Sequence, residues 1–510
     1  MKPVLLRLGE NVLTLKVLEA CLGCPVQVSI TPEAMARAER AREWVEDLLQ
    51  SGGAVYGINT GFGSLKNKRI SPDQTDQLQE NLIISHAVGV GPAAPPEIVR
   101  WMMLFKLHML LQGHSGVRPE VIRLMQTCLN ADMLPVVPTR GSLGASGDLA
   151  PLAHLVLPLT GRGEMTVPSS GQGGGRQTRP AGELLASLGV EPLRLAAKEG
   201  LALINGTQFM SAYAANIAVR AARLANLADL IGCMSLEGFR GSIRPMDPRL
   251  HEVRPHPGAQ TVAANVRRWM AGSEILSSHE NCGRVQDPYS LRCIPQVHGA
   301  FRDALTHFSQ TVEREINSVT DNPIVFEDGA ISGGNFHGAP LALVLDYLAI
   351  ALTDLASISE RRTYQLLSGE DGLPKLLMRD TGLNSGFMLP QYTAAALVNE
   401  CKVLATPAAV DSIPTSLGQE DHVSMGATSA FKCFEVIDRV ETVLAIELVC
   451  AAQALDFRAP LLPGVGPRAA HALVRKVIPH AERDRLFGQD IAAAVQLLRH
   501  SAELRQVANQ

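Results

Sequence analysis

The residues with the most specific chemistry in this 510-residue chain lie in Gly141-Ser-Leu-Gly144-Ala145-Ser146-Gly147-Asp148-Leu-Ala-Pro-Leu152. One reading is a glycine-rich turn whose following helix binds an anion at its N-terminus. The stretch lacks the Lys-Ser/Thr of a phosphate-binding loop. Asp148 also stands where a G-x-S-x-G nucleophile elbow needs its last glycine. A third reading makes an electrophile out of the backbone. In a tightly bent chain the Gly147 amide nitrogen attacks the carbonyl carbon of Ala145. Loss of water, the Ser146 hydroxyl included, leaves a five-membered ring with an exocyclic methylene. Gly147 suits the attack because it has no Cβ and tolerates unusual φ/ψ. Small residues at 144, 145 and 147 are what such a bend requires.

Three further groups could do chemistry but are ambiguous alone. Gln286-Asp-Pro-Tyr289-Ser-Leu-Arg292 reads as a helix start, with Asp287 as N-cap and Pro288 in the first turn. Tyr289 and Arg292, three apart, share a face; out of context they are a packed tyrosine beside a surface arginine. His86 continues a helical face with Leu78 and Leu82 ahead of a stop at Gly89, where a core or capping histidine is the plain expectation. Glu420, by itself, is a solvated charge. Cys21-Leu-Gly-Cys24 is a lone pair of cysteines without the second pair or histidines of a zinc site.

Tyr56-Gly-Ile-Asn-Thr-Gly-Phe-Gly63, Asn205-Gly-Thr-Gln208, Asp321-Asn-Pro323, Gly333-Gly-Asn-Phe336-His337 and Gln419-Glu420-Asp-His422 join these stretches. Taken in order over residues 56–426, the set resembles the aromatic amino acid ammonia-lyases. The fumarase and aspartase group is similar in bundle architecture only, and its Ser, Met, Pro and Lys signature loop is absent. The resemblance implies that Ala145-Ser146-Gly147 cyclises autocatalytically to 4-methylidene-imidazole-5-one (MIO), the chain's own cofactor, with no metal or diffusible cofactor. It implies that Arg292 pairs bidentately with the substrate carboxylate and that Tyr289 is the base for the β-proton. Tyr56 assists at the amine or leaving group. Asn205 positions the carboxylate and the MIO region, and Gln286 and Phe336 line the pocket. Members of the family are homotetramers whose sites combine residues of three subunits.

Within that family the Ser85-His86 pair is similar to the members acting on histidine; tyrosine lyases tend to show His-Leu there and phenylalanine lyases Phe-Leu. Glu420 points the same way, because a carboxylate suits a ring bearing N–H groups. The implied reaction is a carbon–nitrogen lyase step in histidine degradation, the non-oxidative elimination of ammonia from L-histidine to give urocanate, with His86 and Glu420 holding the imidazole. Ile294 and His298 depart from the Arg-Cys-Gln-Pro-Gln-Val-Met-Gly pattern expected of that branch. They leave open a lyase or aminomutase acting on tyrosine, phenylalanine or a histidine derivative. A non-catalytic helical binding protein is the remaining alternative.

Long helices must position these groups. Helical spacing runs through Ala34–Leu49, Phe209–Leu230, Leu341–Leu367 and Glu435–Phe457, and aromatic residues are only 4%, so an Ala/Leu-rich helical core is expected. The fold expectation is mainly α: residues 1–200 as an N-terminal domain carrying the MIO loop, and residues 201–510 as a long helical bundle. A hairpin is expected at Ile324–Ser332 around Asp328-Gly329, and an exposed loop over Val167–Pro180. A net charge of −4 gives no electrostatic case for nucleic acid or an anionic membrane surface. The longest charge-free stretches, Leu201–Val219 and Thr381–Asn399, hold too many polar residues for a membrane span. Scattered, odd-numbered cysteines and a charged N-terminus fit a reducing cytoplasm.

Overall fold

The computed structural model describes residues 2–51, 60, 71, 74–169, 175–280 and 283–510. Tyr56, most of its Gly-rich motif and residues 170–174 lie outside the described residues. The protein is mainly helical, as its composition and spacing predict. Two compact units interleave along the chain. The first comprises Met1–Val219, Ser309–Leu345 and Pro407–Phe431; the second comprises Arg220–Phe308, Asp346–Thr406 and Lys432–Gln510.

In the first unit, Pro32–Gln50 forms the helix expected over 34–49. Thr31 caps it, its hydroxyl accepting the Ala34 N–H at 3.2 Å, and Pro32 takes the first turn, where its missing N–H costs nothing. Pro96–Leu110 is buried on every side from Ile98 to Leu110, which marks it as a core helix. Two elements fix the glycine-rich stretch from either end. Val90–Ala93 pairs antiparallel with Pro138–Arg140, bringing the chain after His86 beside the residues that enter Gly141. Leu149–Val156 then leads away from the stretch as a helix.

The hairpin forms as Ile324–Phe326 with Gly329–Ile331, but Phe326 pairs with Gly329, so Glu327 and Asp328 make the turn. Gly329, at φ +144°, supplies the positive φ just after them. The loop expected over Val167–Pro180 is corrected at both ends: Glu164–Pro168 and Arg176–Pro180 pair antiparallel, Val167 opposite Gln177. The second strand is largely exposed and polar, so it shows no apolar alternation to read. Arg176 anchors it, donating to the Thr166 carbonyl at 2.8 Å and to Asp132 at 2.6 Å.

Four long helices, Gln208–Gly238, Ile294–Ile316, Ala339–Leu366 and Gly426–Asp456, supply the bundle. A buried polar network in the second unit laces all four. Arg362 donates to Glu447 at 2.8 Å, and Ser235 donates to the same carboxylate at 2.6 Å. Arg362 also lies 3.1 Å from His298 Nε2, while His298 Nδ1 meets Asp229 at 2.8 Å. The Ala339–Leu366 helix is long and apolar enough to cross a membrane by length and composition, with a mean hydropathy of 1.9, but its apolar window is 61% buried inside the protein. Its Arg362 is wholly buried against Glu447, the arrangement of a core helix.

Candidate active site

The Ala145–Gly147 segment is bent on itself in the first unit. Gly144, Ser146 and Gly147 have φ of +96°, +50° and +81°. Positive φ is uncommon for a serine and marks local strain. The Gly147 N–H donates to the Gly144 carbonyl at 3.2 Å, closing the bend. Ser142 braces it: its hydroxyl donates to the Gly147 carbonyl at 3.3 Å and accepts the Gly144 N–H at 3.2 Å. Gly147 must be glycine for a second reason, since a Cβ there would lie 2.2 Å from the Gly206 carbonyl oxygen.

The Asn205-Gly-Thr-Gln motif forms the other wall of the bend. The Asp148 N–H donates to the Gly206 carbonyl at 2.8 Å, and the Gly206 N–H donates to the Ser146 carbonyl at 3.4 Å. Asn205 is buried, its amide donating to the Leu201 carbonyl at 3.1 Å. In the sequence Asp148 stands out only as a departure from the elbow motif. Its carboxylate accepts the N–H groups of Phe209 and Met210, both at 3.0 Å, and so caps the Gln208–Gly238 helix. Burial pushes this carboxyl up to about 7, against those two bonds and the charge of Lys106.

His86 ends the Thr75–His86 helix, three residues before the stop expected at Gly89. Its Nδ1 lies 3.0 Å from the Ser85 hydroxyl. Burial lowers its pKa, while a bond to the Leu82 carbonyl and, more weakly, the charge of Glu420 raise it. Glu420 is half-buried and accepts the Thr415 hydroxyl at 3.0 Å. No motif in the sequence marks His154. From the helix that follows the bend, its Nε2 accepts the Gly89 N–H at 3.0 Å. Phe336 is half-buried on the turn after the hairpin. The adjacent His337 stacks on His422, centroids 5.8 Å apart, with Nε2 3.2 Å from the His422 carbonyl. The Phe336 and Glu420 motifs are thereby joined.

Tyr289 and Arg292 belong to the second unit. They occupy one face of a single-turn helix, Tyr289–Arg292, with the guanidinium carbon 4.5 Å from the tyrosine ring centroid. Asp287 is not its N-cap. That carboxylate turns instead to the Ser242 N–H at 2.6 Å and to Arg284 at 3.3 Å, leaving Pro288 at the cap position. Gln286 is exposed, and Tyr289 is 71% exposed. The Arg292 Nε is buried with no hydrogen-bond partner among the described residues. Ile294 and His298, the departures from the expected pattern, are both wholly buried. Among the described residues, no cluster of His, Cys, Asp and Glu could hold a metal ion.

Residues 13–476 match the model of the aromatic amino acid lyases. The chain belongs to that family. It is 52% identical to the histidine ammonia-lyase of Gloeobacter violaceus over 480 residues, covering 93% of this chain and 92% of the relative. The crystal structure of histidine ammonia-lyase from Trypanosoma cruzi superposes with a TM-score of 0.90 at 42% identity, covering 99% of this chain and 95% of that one. Tyrosine aminomutase from Streptomyces globisporus superposes with a TM-score of 0.92 at 34% identity, covering 99% of each chain. The fold is therefore shared across substrates and reaction outcomes, and side chains of the site must separate them.

Proposed function

We propose that this chain eliminates ammonia from L-histidine to give urocanate, working as a histidine ammonia-lyase with an MIO group made from Ala145, Ser146 and Gly147. The observation that carries the substrate is His86 at the end of its helix, with Nδ1 3.0 Å from the Ser85 hydroxyl and the charge of Glu420 favouring its protonated form. An imidazole can bond a substrate N–H or ring nitrogen and a carboxylate can accept a substrate N–H, whereas the leucine expected of phenyl-specific relatives can only pack. The bend at residues 144–147 fits the cofactor: the backbone is held in positive φ and closed on itself, and glycine stands where a Cβ would meet Gly206. When formed, the ring supplies an electrophile that no ordinary side chain offers.

The remaining work belongs to side chains. Arg292 presents a planar fork for the substrate carboxylate, and its unpartnered buried Nε has a donor to spare. Tyr289 takes the β-proton, and the Arg292 guanidinium lies over its ring. Tyr56 serves the leaving amine. Asn205 orients the carboxylate, and Gln286 and Phe336 line the pocket. The functional assembly is a homotetramer in the cytoplasm whose sites are shared between subunits; a base 71% exposed in a single chain suits such completion.

The test uses purified enzyme with L-histidine, L-tyrosine and L-phenylalanine in separate cuvettes, followed in the ultraviolet for the unsaturated acid. Histidine alone should give product at a substantial rate. A silent histidine cuvette would sink the substrate assignment. A wild-type 145–147 peptide of unmodified mass in active enzyme would sink the cofactor.

A further inference from the structure

Lys106 has no place in the reaction described above, yet it reaches the wall of the Ala145–Gly147 bend. It lies on the core helix Pro96–Leu110 and is wholly buried. Its ammonium donates to the Asn205 carbonyl at 2.7 Å and the Ala202 carbonyl at 3.3 Å. These carbonyls lie at the C-terminal end of the Glu199–Ile204 helix, where intrahelical partners run out. A neutral donor would satisfy them without burying a charge. Burial pulls this lysine down to about 7, with Lys198 adding to the pull, while Asp321 and Asp148 hold it up. Asp321 is already paired with Lys198 at 2.7 Å, both wholly buried. A lysine can cap such carbonyls, but a wholly buried one costs more than a neutral donor that would serve the cap as well.

The amide that Lys106 grips has a second end. The Asn205 carbonyl and the Gly206 N–H belong to one peptide group, and that N–H donates to the Ser146 carbonyl at 3.4 Å. An amide whose oxygen is bound by a cation is a stronger donor through its nitrogen. We infer that Lys106 is a positioning residue for cofactor formation: it orients and polarises the Asn205–Gly206 amide, which draws electron density from the Ser146 carbonyl while the ring closes. The inference rests on the reading of residues 145–147 as the source of MIO.

The chemistry of closure explains why that carbonyl matters. The Gly147 nitrogen bonds to the Ala145 carbonyl carbon. The Ala145 oxygen leaves as water with the hydrogens of Gly147 N and Ser146 N, and a C=N bond remains between Ala145 C and Ser146 N. The Ser146 hydroxyl leaves as a second water with the hydrogen of Ser146 Cα, and a Cα=Cβ bond remains. No oxidant or reductant is needed. Two of the hydrogens that must depart, on Gly147 N and Ser146 Cα, are attached to atoms bonded directly to the Ser146 carbonyl carbon. A stronger hydrogen bond to that oxygen acidifies both, as donors at an oxyanion do.

Lys106→Met and Lys106→Gln, with wild type and Ser146→Ala as references, should be made in a cell-free system and sampled over time. The folded fraction is isolated by size exclusion, digested, and the peptide holding residues 145–147 weighed. Wild type should lose two waters and Ser146→Ala should not. Folded Lys106→Met should lose them at least about tenfold more slowly than wild type, a fraction of what deleting a direct oxyanion donor costs. Lys106→Gln, which keeps a neutral donor, should fall between. A merely structural lysine would lower the folded yield but leave that fraction dehydrated at the wild-type rate, and this result overturns the inference. If Lys106→Met does not fold, Lys106→Gln decides: dehydration as fast as wild type overturns it equally. A wild-type peptide without water loss would refute the cofactor itself, a different outcome.

Discussion

His86 and Glu420 are the residues on which substrate choice turns. Burial disfavours the charged imidazole and the carboxylate of Glu420 favours it, so the pair offers a substrate imidazole both a polar ring and a negative charge. Replacing them together by His86→Leu and Glu420→Gln should cost histidine on the order of 2–4 kcal/mol of transition-state binding, because polar groups of the ring lose their partners. Phenylalanine should lose little or gain. The ratio of kcat/KM for the two substrates checks this, and a ratio that stays with histidine removes the pair from the pocket. Tyr289→Phe should lower kcat by about 10²–10⁴, as loss of a general base does. Arg292→Lys should act mainly on KM, since a point charge replaces a planar fork; steady-state kinetics separate the two. These residues were legible because each sits in a contiguous motif. Lys106 and His154 were not legible in that way. Lys106 lies 99 positions from Asn205 and His154 lies 65 from Gly89, and no spacing rule links such pairs.

At the scale of elements, the helix Leu149–Val156 does more than follow the bend. Its His154 accepts the Gly89 N–H through Nε2, which requires the neutral ring with its proton on Nδ1. The segment leaving His86 is thereby pinned both to this helix and, through Val90 opposite Arg140, to the strand entering Gly141. Burial depresses the His154 pKa below 6.5. A folded value below the unfolded one means the unfolded chain binds more protons between the two. The stabilisation is therefore fully present above pH 6.5 and is lost as pH falls through the depressed value. His154→Gln keeps an acceptor but cannot titrate, so it should weaken the fall in urea midpoint on acidification. His154→Leu removes the acceptor and should raise KM for histidine, with Gln restoring it. Equal KM values for the Leu and Gln variants would count against the pinning. The helices themselves were legible from apolar spacing, with ends displaced where capping intervenes. The strand Arg176–Pro180 was hidden because its polar, exposed residues carry no alternation.

For the whole molecule, the sequence shows a helical protein but not how its segments are divided. A cut near residue 200 follows from where long helical patterns begin, whereas the compact units each gather three stretches of chain. Contacts between distant segments decide such a division, and periodicity reports only local ones. The network around Arg362 is the clearest case: Ser235, Glu447 and His298 lie 127, 85 and 64 positions from it in the chain, separations that no local pattern spans. Arg362 and Glu447 are both wholly buried, so each charge has been taken out of water and depends on the other. Arg362→Met leaves the Glu447 carboxylate buried without its cation and should destabilise the protein by about 3–5 kcal/mol. Adding Glu447→Leu removes the stranded charge, although the buried Ser235 hydroxyl then loses its carboxylate acceptor. The double variant should regain most of that loss, because a well-packed apolar pair replaces a buried ion pair at little net cost. Urea midpoints at one fixed protomer concentration make the comparison, since assembly shifts apparent stability. If the double variant is as unstable as the single one, the pair is not a self-contained unit. The destabilisation would then arise from the His298 and Asp229 side of the network, where the loss of the Arg362 donor to His298 Nε2 is common to both variants.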